Sequence, residues 1–221
     1  MVHGSPVETI FLLACGLAVT CSPLVVMGLQ RRSHRAGPGA TVSLAQWLVG
    51  PLVCSSVAAG VIHLTVVPAH LDEYLPYGLA FGALAAFQVA WSLALIRRPG
   101  RSVLLVGLLV NAGVIAVWIA SRTSGLPLGP EPGAPEDLGV ADAAATVFEA
   151  LLVIGLAARL LSRVDRALER RRLSFADAQL GMMMFVVAIA LVTTFAVADF
   201  AAGSGGHDHG AATIVPSARS S

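Results

Sequence analysis

The sequence predicts an all-α polytopic membrane protein, a bundle of six transmembrane helices with the N-terminus and the C-terminus outside. Three observations carry that expectation. Hydrophobic residues are 56% of the 221 residues and charged residues 12%, with a mean hydropathy of +0.79, whereas a soluble domain carries about 25% charge. Six windows, 7 to 29, 42 to 67, 77 to 96, 102 to 120, 140 to 161 and 179 to 200, supply the run of about 20 apolar residues that crosses a hydrocarbon core of about 30 Å. The connectors between them alternate in charge.

The first window opens on "MVHGSPVETIFLLACG" and lacks the basic leader of a secretory signal, so it is read as a retained span. Pro23 in the first window and Pro51 in the second each remove a backbone donor and are expected to kink their helices. In the third, Gly78 and Gly82 form a GxxxG that lets a neighbouring backbone approach closely. The stretch from Arg163 to Arg172 reads either as a short amphipathic cytoplasmic helix, with Val164, Leu168 and Leu173 toward the bilayer, or as a solvated basic connector. Met182, Met183 and Met184 are consecutive; helix positions turn about 100° each, so their sulfurs diverge and ordinary packing is expected rather than a copper ladder. Residues 1 to 200 form the transmembrane domain, and residues 201 to 221 a flexible Gly/Ser/His extracytoplasmic tail.

Sidedness follows from the arginines, since all fourteen basic residues are Arg. Arg31, Arg32 and Arg35 occupy the first connector, Arg97, Arg98 and Arg101 the third, and Arg159, Arg163, Arg166, Arg170, Arg171 and Arg172 the fifth. The positive-inside rule assigns those connectors to the cytoplasm of a multi-pass cell (plasma) membrane protein. Membrane lipid is then the first partner, no nucleic-acid partner is expected, and no protein partner is named by any motif. Cys15, Cys21 and Cys54 lie in apolar stretches without CxxC spacing, so neither a disulfide framework nor a zinc knuckle is indicated and packed thiols are expected.

Residues seven apart on a helix differ by about 700° and share a face. Three windows carry polar stripes of this kind: Ser56, His63 and, if the helix continues past Pro68, His70; Asn111, Trp118 and Arg122; Asp142, Thr146 and Glu149. Gln88 adds an amide in the third window. At about 1.5 Å per residue, His63, Asn111 and Glu149 fall deep and His70, Arg122 and Asp142 near the outer interface, which describes a funnel narrowing inward. A carboxylate at the midplane costs about 3 kcal/mol on insertion scales, so Glu149 is expected to face the interior with His63 as partner.

Two chemistries suit such a cluster, beside a pair that only fixes helix packing. The first is a transition-metal site, copper, zinc or iron, on His63, His70, Glu149 and Asp142, with His63 and Glu149 as the catalytic candidates if a small-molecule substrate is turned over. The second is a proton relay between His63 and Glu149, as in transporters and pumps. Arg122 with Asp142 is expected to form a structural bridge. In the tail, "GGHDHG" offers His207, Asp208 and His209 as a compact donor set for a metal ion, although HxH also arises idly in Gly-rich tails. GxSxG, P-loop and HExxH patterns are missing.

"AAGVIHLTVVPAHLDEY" and "SRTSGLPLGP", with the acidic residues of the fifth window, resemble a group of largely uncharacterised actinobacterial integral membrane proteins with the patterns HLxxxPxH and SRTxGLPxGP. The resemblance covers roughly residues 57 to 155 and points to His63, Pro68, His70, Arg122, Gly125, Pro127, Gly129, Asp142 and Glu149. It implies a role near natural-product genes, where a diazotase-like joining of nitrite-derived nitrogen to an amine is associated with related sequences, or near copper-associated relatives. Ala69 departs from it, standing where a glutamate would be expected. A scaffold subunit of an envelope complex is the non-catalytic reading. The SRTSGLPLGP loop, stiffened by Pro127 and Pro130 and free to turn at Gly125 and Gly129, is expected to be either a lid over the funnel or a rigid external linker.

Overall fold

The computed structural model describes residues 41–204. The window at 7 to 29, Pro23, Cys15, Cys21, the first-connector arginines and the tail with His207 and His209 lie outside the described residues. The elements are β1 (Thr41–Ser43), α1 (Leu44–Trp47), α2 (Val49–Glu73), α3 (Leu75–Arg97), α4 (Arg101–Thr123), α5 (Val140–Leu160), α6 (Ser162–Arg170), β2 (Arg172–Ser174) and α7 (Phe175–Ser204). Five helical segments, Leu44–Glu73, Leu75–Arg97, Arg101–Thr123, Val140–Leu160 and Phe175–Gly203, are long and apolar enough to cross a membrane. They coincide with the second to sixth windows, so the described chain is a multi-pass helical membrane protein.

Pro51 acts differently from the expected kink. It sits in the first turn of α2 and cannot donate to the carbonyl of Trp47, four residues back; the helix is interrupted at Leu48, between α1 and α2. Pro68 lies inside α2, and the helix continues beyond it through His70 to Glu73. The arginine-rich Ser162–Arg170 segment is a helix with Val164 exposed. One feature was not expected from the sequence: β1 and β2 pair antiparallel, with Val42 opposite Leu173. Ser43 and Ser174 then cap α1 and α7 by accepting from the amides of Gln46 and Asp177, each at 3.2 Å.

Helix α2 is the centre of the bundle and packs on α3, α5 and α7, while α4 leans mainly on α5. Small residues set these distances. Gly78 faces Leu71 so closely that any β-carbon there would overlap it, as the GxxxG anticipates. Ala141, Ala144 and Ala145 of α5 meet Ala58, Ala59, Ile62 and Val66 of α2 in one buried cluster. Met182 is buried while Met183 and Met184 are exposed, as diverging helix positions require.

Helices α3 and α4 form a hairpin through Arg98–Gly100, clamped near its turn. The Trp91 ring lies against Gly107, where a β-carbon would collide with it, and Trp91 Nε1 donates to the Val103 carbonyl at 2.8 Å. One turn further out, Gln88 Nε2 donates to Asn111 Oδ1 at 3.0 Å, Asn111 Nδ2 donates to the Gly107 carbonyl at 2.8 Å, and Ser56 Oγ donates to Gln88 Oε1 at 2.6 Å. Ser56, Gln88 and Asn111 are completely buried. This polar line ties α2, α3 and α4 at one level, and beyond it α3 and α4 separate.

Replacing Gln88 by Leu strands the Asn111 carbonyl oxygen, while the Ser56 hydroxyl keeps only its 3.0 Å bond to the backbone carbonyl of residue 88. The expected loss is about 1–3 kcal/mol in reversible unfolding in detergent, with a downward shift in Tm; Val89→Ala, at an exposed neighbouring position, is expected to change stability by less than about 0.5 kcal/mol.

Candidate functional site

The gap between the halves of α3 and α4 remote from their hairpin turn is a pocket of about 710 Å³, within the range of small-molecule sites. Each helix contributes one stripe at helical spacing: Tyr77, Phe81, Leu84 and Phe87 from α3; Val110, Val114, Val117 and Trp118 from α4; Asp142, Ala145, Thr146 and Glu149 from α5. Its back wall on α2 is His63 and His70.

At the deep end His63 Nε2 and Glu149 Oε1 are 2.9 Å apart, and the side chains are 5% and 1% exposed. The alanines of α5 make this contact possible, since larger residues at 141, 144 and 145 would hold α5 off α2. The His63 ring is tilted against Phe81 at 5.7 Å between centroids, and Phe81 meets His70 at 4.4 Å. His70 Nδ1 donates to the Val66 carbonyl of its own helix at 2.9 Å, a carbonyl within the turn that Pro68 loosens.

At the opposite end Arg122 holds two carboxylates. Its Nη2 donates to Asp142 Oδ2 at 2.5 Å and its Nη1 to Glu136, and its guanidinium lies 5.7 Å from the Trp118 ring centroid. The Glu136 amide donates to the Ser121 carbonyl at 2.9 Å, and Tyr77 of α3 donates its hydroxyl to the Leu128 carbonyl. Residues 124–139 are therefore strapped to α4 on one side and α3 on the other, and Leu126 and Glu136 line the pocket beneath. Gly125, at φ +69, makes the strap's first turn where a β-carbon would strike the Gly133 and Ala134 backbone; Gly129, at φ +124, passes under the Tyr77 ring.

His63, His70, Arg122, Asp142 and Glu149 thus share one pocket. Asn111 does not line it, because Gln88 has claimed its amide. Among the described residues no three His, Cys, Asp or Glu side chains are grouped to hold a metal ion. Of the four expected ligands only His63 and Glu149 meet; His70 is turned to Val66 and Asp142 to Arg122. Sequence reasoning missed Glu136, Tyr77 and the aromatic wall of Phe81 and Phe87. The signal for Phe81 and Phe87 was available, since with Tyr77 and Leu84 they repeat every three or four residues along one face of α3.

Fold and site together define a class: a multi-pass helical membrane protein with a buried histidine–carboxylate pair at the end of an intramembrane pocket. Comparison with family models, curated proteins and solved structures yields no match to this chain.

Arg122→Gln removes the group that anchors Glu136 and Asp142. Hydrogen exchange of the 125–136 amides is expected to accelerate roughly tenfold, which corresponds to about 1.4 kcal/mol of local stability, while amides of α2 keep their protection.

Proposed function

We propose that this chain is a six-span protein of the plasma membrane that binds a small molecule in this pocket and exchanges a proton with it through His63 and Glu149. The observation that carries the reading is the 2.9 Å contact between two buried, ionisable side chains on the pocket wall. A hydrogen bond of this kind holds one proton between imidazole and carboxyl, and transfer either way leaves the pair's net charge unchanged. The arginines at the far ends of the helices support, under the positive-inside rule, a pocket on the outer side with both termini outside.

The actinobacterial pattern supports a shared site rather than a packing device, because His63, His70 and Arg122, three of its polar positions, line the same cavity as Asp142 and Glu149. A copper, zinc or iron site on His63, His70, Asp142 and Glu149 is the competing reading, favoured by the direct meeting of His63 with Glu149. It requires His70 to give up Val66 and Asp142 to give up Arg122.

Two measurements separate the readings. Infrared difference spectra between acidic and alkaline conditions, recorded in bilayers, are expected to contain a carboxyl band that disappears in Glu149→Gln and moves in His63→Ala; spectra unchanged by both substitutions would falsify the proton role. Metal analysis after chelator-free purification is expected to find no stoichiometric copper, zinc or iron. Stoichiometric metal lost from both variants transfers the site to the metal reading.

A further inference from the structure

Among the described residues the pocket has a second opening. Along the α3–α4 separation Ala80, Ala83, Leu109, Gly113 and Val117 line the cavity and are exposed, so among the described residues the cavity is open along this side. Leu109 to Arg122 covers thirteen steps of helix, about 20 Å at 1.5 Å per residue, so the slot descends well into a hydrocarbon core of about 30 Å. The water-facing end is spanned by the 124–139 strap, tied to both helices that border the slot. Entry through the slot is entry from lipid, which selects a molecule with an apolar body.

The head group is selected by what meets it. Arg122, the single guanidinium among the described lining residues, is already held by Asp142 and Glu136, so this triad carries a surplus negative charge. Glu149 contributes a further carboxyl whose described hydrogen bond uses Oε1 alone. With Nδ1 on the Val66 carbonyl, neutral His70 offers Nε2 as an acceptor. The Trp118 and Arg122 donors without partners among the described residues, Nε1 and Nε, are covered by protein and do not reach the cavity. Phe81, Phe87, Tyr77 and Trp118 add aromatic faces, which attract cations.

We propose that the pocket takes a lipophilic amine, a protonated nitrogen on an apolar chain or ring, entering sideways from the bilayer between α3 and α4. The proposal rests on the proton-exchange reading: the Glu149 carboxylate receives the ammonium and takes its proton on Oε2, the proton shared with His63 comes to rest on His63 Nε2, and the neutral amine remains.

The test uses the full chain in nanodiscs of zwitterionic lipid and a dodecylamine probe carrying a mid-chain diazirine. Photolabelling is expected to saturate and to map to 77–87 and 109–118. Dodecylamine is expected to displace the probe at least tenfold more effectively than dodecanol or dodecanoate, which share its chain, and Asp142→Asn and Glu149→Gln should reduce that preference. Gly113→Phe fills the slot, where a β-carbon meets nothing within 4 Å; with wild-type helical circular dichroism as the check on folding, it is expected to abolish labelling. Equal displacement by the three competitors overturns the amine assignment, and unchanged labelling of Gly113→Phe overturns lateral entry. An intact Glu149 band with unsaturable labelling defeats only this inference, whereas saturable labelling without that band defeats only the proton reading.

Discussion

A carboxyl group cannot sit in the middle of an apolar bundle without a partner, and the position of Glu149 constrains the rest of this molecule. Its one described hydrogen-bond partner is His63, and the two reach each other only because α5 and α2 touch along alanines. Removing either partner would leave the other buried and unsatisfied, a larger penalty than the bond itself gains. The contact therefore sets the spacing of α2 and α5, and α4, which leans on α5, takes its place from them.

The hairpin of α3 and α4 answers a different demand. Near its turn Trp91 on Gly107 and the Ser56–Gln88–Asn111 line draw the helices together; further out α3 follows α2 and α4 follows α5, so they diverge. The cavity is the geometric consequence of two sequence neighbours pledged to different partners. The strap from 124 to 139 rejoins them at the surface through Tyr77 and Arg122, closing the end but not the side. Polar pairing thus fixes both ends of the opening while apolar residues line its length.

Much of this was legible in the residues. Hydropathy located the five described spans within a few positions, because about 20 apolar residues in a row have few other uses. The seven-residue stripes placed His63, His70, Asp142 and Glu149 on interior faces, and depth counting paired His63 with Glu149 and Arg122 with Asp142. Helical periodicity says which face a residue occupies but not which helix lies opposite. Asn111 has the depth of Glu149 yet belongs to Gln88, since α4 turns that face toward α3 near the hairpin. The same gap in information hid Glu136, which reaches Arg122 through a loop with no period to read. Periodicity also says nothing of the partners that His70 and Asp142 find here, the Val66 carbonyl and Arg122. Pro51 marks the start of α2 rather than a bend within it because its missing donor falls in a first turn.

The most direct test of the central contact is solid-state NMR on the full chain in lipid bilayers, with ¹⁵N-labelled histidine and ¹³C-labelled glutamate, recoupling imidazole nitrogens to side-chain carboxyl carbons. A through-space correlation from His63 Nε2 to the Glu149 carboxyl, absent from Glu149→Gln, is the expected result. If His63 shows no coupling to any glutamate carboxyl while the helices remain folded, the pair does not exist in the membrane and the pocket loses its chemistry.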